Sequence, residues 1–438
     1  MNFFWSVILL CLQMFSMSTM VSIGGPLHDY VNRPEPKFSW EQTSGQIDHN
    51  LGTVYSLKLT SQEWKGIVWR HNLQVFVPSE LIYPSSMLLV VNGGSNDSQP
   101  DKEDMELGLK LANLSGSACA MLSQVPNQPL YDGKREDDLI AHTFEKYLEL
   151  GDATWLLLLP MVNSAIKAMD TAQIFMDQTL QITVKDFVIT GASKRGWTSW
   201  LTAAVDPRIK ATMPIVIDTL NIPDQMEYQL EVWGGYSEEI GDYTVRGIQD
   251  HLGTEVGQNL ISIIDPYSYR EQLTMPKLSV IGTNDNYWVL DALNLYWDGL
   301  PVPKYVLYVP NSGHSLEDRE RTISGLTGFY RFVVSDGDLP SITWKHSQEN
   351  DRLQLHYESD QKPVDARLWF AASVNRDFRD ATWLSVPARL LDSGGFFGEL
   401  ILSSTHYVAV LGELTFMIDG QPCPLSTQVN IGKPLVQQ

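Results

Sequence analysis

Ser193 stands in the stretch FVITGASKRGWTSW, two places after Gly191 and three before Gly196. A serine hydroxyl is a poor nucleophile at neutral pH. It attacks a carbonyl only when a base takes its proton, a carboxylate orients that base and N–H donors meet the oxyanion that forms. The chain carries candidates for each part: Asp285 in VIGTNDNYW as the acid and His314 in YVPNSGHSLED as the base. The separations are 285 − 193 = 92 and 314 − 285 = 29 residues, so only the fold can gather them. Asp218, in PIVIDTL, is the rival acid, and Asp291 a weaker one. The oxyanion donors would be the backbone N–H of Lys194 and one from NGGSN, at Gly93 or Gly94. Lys194 and Arg195 are candidates to bind a substrate carboxylate, with solvated surface charges as the equal alternative. Singly, each residue has a plain role as turn former, helix cap or loop residue. Their agreement in order and context carries the reading.

The elements that must position them are short buried strands alternating with helices. Phe187-Val188-Ile189 reads as a strand end, and Trp197, Trp200, Leu201 and Ala204 recur at helical spacing. Strand, tight turn, helix is the geometry that lifts a serine clear of a sheet. Upstream, GTVYSLKLTSQEW and GIVWRHNLQVFVP read as a hairpin. Six further strands in βα alternation bring the count to eight, with Ser193 after the fifth, Asp285 after the seventh and His314 after the eighth. Eight strands, and the order serine, acid, histidine, are those of the α/β-hydrolase architecture, whose sites lie at the carboxyl ends of the strands. Residues 221–275 form an insertion read as a cap, with Trp233 and Tyr236 as candidate substrate contacts. After SDGDLP the helical periods vanish, and alternating runs over 340–438 predict a β-sandwich of immunoglobulin or fibronectin type. The expected domains are a hydrolase unit over 23–335 and this sandwich.

Composition narrows the function. A formal net charge of −21 argues against nucleic acid and anionic lipid. The apolar run FFWSVILLCLQMF is shorter than a bilayer span, and small polar residues follow it. Residues 1–22 therefore read as a signal peptide, with no membrane span left after its removal and an extracellular destination. Sequons at Asn96 and Asn113 fit export. Cys119 and Cys423 remain after loss of Cys11; they could form one bridge, but a small buried hydrophobe is the plainer reading of Cys119. No metal-ligand spacing, Walker loop or G-x-G-x-x-G after the first strand occurs, and acyl transfer of this kind needs no cofactor. Glu136 to Asp138 read as the acidic first turn of a helix.

The run GASKRGWTSWLTAAVDPRIKATMPIVIDTLN resembles the PhoPQ-activated pathogenicity-related family, as do VPNQPL, REDDLIAHTF, LPMVNSAIKAMDTAQ, DPYSYREQLTMPKL and VPNSGH. The similarity runs from about Tyr30 to the C-terminal module. It implies a secreted α/β-hydrolase, in a family that includes autocrine proliferation repressors, with Ser193, Asp285 and His314 as nucleophile, acid and base. One departure stands out: Arg195 occupies the place two after the serine, where a small residue is usual. Glucuronoyl esterases show a similar G-x-S-R-x-G arrangement. The main expectation is a hydrolase acting on a small-molecule ester or a peptide. The alternative is an extracellular signalling protein that binds a cell-surface receptor with little or no turnover.

Overall fold

In the computed structural model, which describes residues 24–43, 45–335 and 337–435, a central sheet is built on eight strands. They are β1 (Gly52–Trp64), β2 (Ile67–Pro78), β3 (Ser86–Val91), β4 (Ala118–Leu122), β5 (Asp186–Ala192), β6 (Ile209–Ile215), β7 (Lys277–Gly282) and β8 (Lys304–Val309). Their spatial order is 1-2-4-3-5-6-7-8, with β2 antiparallel to both neighbours and the rest parallel. This is the α/β-hydrolase topology. The segment assigned to a signal peptide lies outside the described residues. Among those described, no helix is long and apolar enough to cross a membrane.

Alternation within the strands explains the layers. Met87, Leu89, Phe187 and Ile189 enter one buried cluster, while Leu88 and Val188 enter another. Strands apolar on both faces need helices on both. Helices α1 (Lys102–Ser115), α2 (Glu136–Leu150), α3 (Leu158–Leu180) and α4 (Lys194–Val205) follow the first five strands. Phe175 of α3 and Leu201 of α4 cover one face, and Leu109 of α1 covers the other. The chain enters α1 through Asp101, whose carboxylate accepts the Asp104 N–H, and leaves it through left-handed Gly116.

Between β6 and β7 the chain leaves the sheet as a helical cap that contains α5 (Ile222–Trp233) and α6 (Glu255–Ile264). Buried Asp265 closes its base. Its carboxylate accepts the N–H groups of Ile222 at 2.8 Å and Tyr267 at 2.9 Å, tying the entry of the insertion to its exit. After β8, α7 (Arg319–Val334) packs Phe329 in the same cluster as Leu109.

The C-terminal strands are β9 (Ile342–Glu349), β10 (Arg352–Ser359), β11 (Asp365–Ser373), β12 (Leu384–Pro387), β13 (Phe396–Ile401), β14 (Tyr407–Ile418) and β15 (Gln421–Ser426), with two shorter strands beside them. One layer, containing β9, β10 and β13, is a separate antiparallel sheet. The other, β15-β14-β11-β12, continues the central sheet, because β15 pairs with β8 at Val306 and Ser426. Leu353 and Leu355 of β10 share a buried cluster with Leu368 and Val410 from the second layer. Cys119 and Cys423 are both free and buried, and burial pushes both thiols up.

Candidate active site

Ser193 sits in the turn between β5 and α4 with φ 56° and ψ −125°. A non-glycine residue adopts a positive φ only where its surroundings impose it. Here its N–H donates to Ile215 O at 2.8 Å, and its carbonyl accepts from Trp197 N–H at 3.0 Å. The turn leaves no room for side chains at its glycines. A Cβ at Gly191 would lie 2.7 Å from Arg195 O, and one at Gly196 would lie 2.7 Å from Ile217 Cγ2. The bare Gly191 also explains how the bulky Arg195 is accommodated, since that same Cβ would sit 2.9 Å from the arginine's own.

His314 and Asp285 meet as the sequence order requires. The imidazole Nδ1 lies 2.9 Å from Asp285 Oδ2 and 3.1 Å from Oδ1. Asp285 is buried and also accepts the Tyr287 N–H at 2.8 Å. Tyr287 stacks on the imidazole with ring centroids 4.0 Å apart. A carboxylate at Nδ1 calls for the proton there and leaves Nε2 as the acceptor. That Nε2 is buried and has no partner among the described residues, so the Ser193 hydroxyl makes no hydrogen bond to it. Both side chains nonetheless line one pocket. Hydrogen bonds of this kind are often long in unliganded enzymes and tighten on the substrate.

The rival acids are occupied elsewhere. Asp218 accepts the Tyr296 hydroxyl at 2.6 Å. Burial raises its pKa to about 7 against that hydrogen bond, with the Asp285 charge adding to the rise. Asp291 accepts the Tyr228 hydroxyl at 2.8 Å and faces Arg376.

Lys194 and Arg195 depart from both roles considered for them, since they are neither free for a substrate carboxylate nor solvated. Both are buried. Arg195 donates Nη1 and Nη2 to the two oxygens of Glu136 at 2.6 and 2.7 Å, and Nε to Val125 O at 2.6 Å. Lys194 Nζ pairs with Glu136 at 3.2 Å and Asp137 at 3.0 Å. Burial works against the Glu136 charge, but the Arg195 hydrogen bonds and the neighbouring cations outweigh it and bring its pKa to about 2. The acidic turn at the start of α2 therefore anchors the turn that carries Ser193, the elbow between β5 and α4. It anchors the cap as well, because Tyr243 donates to Asp137 at 3.0 Å and Arg246 pairs with Asp138. Sequence reasoning missed this role. The acidic turn was visible, but nothing local named partners 59 residues away.

On the oxyanion side, Gly93 packs against the elbow, where an added Cβ would lie 2.7 Å from Arg195 Nη2. Its N–H is already given to Asn92 Oδ1 at 2.9 Å, which leaves Gly94, at φ +115°, as the better candidate donor of the two. Lys194 opens α4, so its N–H has no acceptor within the helix.

The pocket holds about 720 Å³ of empty space, its mouth included. Phe144, Trp197, Met226, Ile240, Leu260 and Trp288 are among its walls. Trp233 and Tyr236 are not. Trp233 instead lies under the Arg379 guanidinium, 4.3 Å from its ring centroid, and Tyr236 packs against the core. Tyr287 and Trp288, two and three residues after Asp285, take the place expected of them. The C-terminal module braces the loops that carry Asp285 and His314 from outside. Asn284 Nδ2 donates to Arg379 O at 3.0 Å and Ala381 O at 2.7 Å, and Asn311 exchanges two hydrogen bonds with the Trp383 backbone.

Of the two sequons, Asn96 is exposed in a loop. Asn113 lies inside α1 with its amide nitrogen donating to Leu51 O and Leu109 O, and its sequon partner Ser115 is buried. Among the described residues no group of three or more His, Cys, Asp or Glu side chains could hold a metal ion.

Comparison with known proteins adds a lineage. Autocrine proliferation repressor protein A of Dictyostelium discoideum is 34% identical over 384 residues, covering 82% of this chain and 77% of that protein. Among solved structures, an acetyl xylan esterase from Paenibacillus sp. R4 superposes at TM-score 0.46 with 14% identity, over 68% of this chain and 91% of its own. An S-formylglutathione hydrolase from Agrobacterium tumefaciens gives TM-score 0.46 with 12% identity, over 67% and 99%. Likenesses at that level carry no argument about activity. The profile of the PhoPQ-activated pathogenicity-related proteins matches residues 27–379, and to that family the chain belongs.

Proposed function

We propose that this protein is a secreted serine hydrolase that cleaves an ester or peptide bond through Ser193, His314 and Asp285. One observation carries the reading: Ser193, held at a positive φ, shares a pocket with a histidine whose Nδ1 is bound by a buried carboxylate and whose Nε2 is unpaired. In the proposed chemistry Ser193 Oγ bonds to the acyl carbon as His314 Nε2 takes its proton. Asp285 stabilises the imidazolium. The oxyanion is met by the N–H of Lys194 and that of Gly94. The bond to the leaving group then breaks, and the leaving group takes the proton from His314. Water repeats the sequence: its proton passes to His314 as its oxygen bonds the acyl carbon, and the Ser193–acyl bond breaks as Ser193 regains a proton. The division into a hydrolase unit (23–335), a cap (about 221–275) and a sandwich (340–438), and the signal over 1–22, belong to this proposal.

A second reading rests on the relative at 34% identity, which is named a proliferation repressor. In this reading the chain is an extracellular signal on a hydrolase fold and slows growth with little or no turnover. The comparisons speak for this reading more than for catalysis; the site geometry speaks for catalysis. Secreted wild type and Ser193→Ala, applied to proliferating cells and assayed on p-nitrophenyl esters, separate them. The hydrolase reading expects ester cleavage by wild type alone. Equal slowing of growth by both proteins, with no cleavage by either, would establish the second.

A further inference from the structure

The pocket beside Ser193 is apolar on both sides. Ile240, Ile248, Leu252 and Ile261 reach it from the cap, and Phe144 and Trp197 from the sheet side. Its two charged lining residues, Lys194 and Asp137, neutralise each other at 3.0 Å, and each has a further partner in Glu136 or Tyr243. A charged substrate group would have to break one of these pairs or enter unpaired, and either is costly in a buried site. A peptide would bring N–H and C=O groups at every residue. Beside Ser193, His314 and the Lys194–Asp137 pair, the lining offers only four further polar side chains among the described residues, Thr219, Gln249, Tyr287 and Trp288, to receive them, with Tyr243 already donating to Asp137. Apolar side chains line it from both the sheet side and the cap, so a chain longer than an acetyl group meets apolar cover on two sides.

Building on the serine-hydrolase reading, we propose that the site takes esters of uncharged, medium-chain aliphatic acids, with the acyl chain lying under the cap. Trp197 fixes the seat of that chain. Its Nε1 donates to Ile264 O at 2.6 Å, joining the elbow helix to the cap helix directly across the apolar lining. Acyl length is then read by the half-buried cap residues Leu252 and Ile261.

The test is kcat/KM of the full secreted chain on p-nitrophenyl acetate, butyrate, octanoate and hemisuccinate, with a fluorophosphonate probe reporting on Ser193 in parallel. Each methylene buried should raise kcat/KM about fourfold, so octanoate, four methylenes longer, should exceed butyrate by roughly 250-fold. Hemisuccinate, which carries a carboxylate, should fall at least about tenfold below butyrate. Leu252→Trp and Ile261→Trp should each lower the octanoate-to-acetate ratio, with probe labelling as the check on folding. Labelling at Ser193 together with flat or falling rates along the series, or with hemisuccinate matching butyrate, would overturn the substrate class and leave the hydrolase standing. No labelling and no turnover of any ester would overturn both.

Discussion

Glu136→Gln is the substitution that probes how the elbow is held. The carboxylate binds Arg195 through both oxygens and also meets Lys194, and its pKa falls from 4.5 to about 2. Taken whole, that shift is worth about 3 kcal/mol. The side chain is 40% exposed, so solvent screening reduces the figure to about 1–2 kcal/mol. Arg195 is 9% exposed and would keep Val125 O, which places the loss toward the upper end, about 2 kcal/mol. The sign is set by the direction of the shift. A carboxylate with a lowered folded pKa stabilises the fold above its unfolded value, and that contribution disappears as pH falls toward 2. Urea unfolding of wild type and Glu136→Gln at pH 7, 5 and 3 isolates it, since all other carboxylates titrate in both proteins. The difference should be about 2 kcal/mol at pH 7, hold at pH 5 and fall to roughly half or less by pH 3. A difference below about 0.5 kcal/mol at pH 7, or one that grows on acidification, would refute the assignment of Glu136 as the elbow's anchor.

Asp285→Asn should slow ester hydrolysis by on the order of 10⁴-fold with the circular dichroism spectrum unchanged, whereas Asp218→Asn should leave the rate near wild type. Equal losses in both variants would mean that the wrong carboxylate has been assigned to His314. Asp218 also has its own pH signature: its pKa is raised to about 7, so the fold holds this proton more tightly than the unfolded chain. Wild type should lose stability relative to Asp218→Asn as pH rises from 4 to 7, and a flat difference in unfolding free energy counts against the burial argument. Asn284→Ala removes the bonds from the acid loop to Arg379 O and Ala381 O, so hydrolysis should slow by on the order of tenfold through misplacement of the neighbouring Asp285. An unchanged kcat there would mean that the C-terminal module does not brace the site.

The parts of this molecule that could be read from the chain are those set by short-range pattern. Phe187 to Ile189 with Gly191 and Gly196 foretold the elbow because the turn itself excludes Cβ atoms at those glycines. The meeting of Asp285 with His314 was legible because each follows a strand of one sheet, and strand order carries both to the same edge. Trp233 and Tyr236 were misplaced for a physical reason. Aromatic content marks a segment as buried against something, but not against what, and Trp233 pairs with Arg379, 146 residues later. The ties of Lys194 and Arg195 to Glu136 were illegible for the same cause: a pair formed by folding leaves no spacing signal. The junction of β15 with β8 was likewise hidden, since alternation announces strands without announcing neighbours.

The central claim is that Ser193 is an activated nucleophile. It is tested most directly by reacting the protein with a fluorophosphonate and mapping the adduct by mass spectrometry. The account predicts one adduct, on Ser193, formed at a rate that collapses in His314→Ala while the fold is retained. A folded wild-type protein that forms no adduct, or forms one equally well without His314, would contradict it.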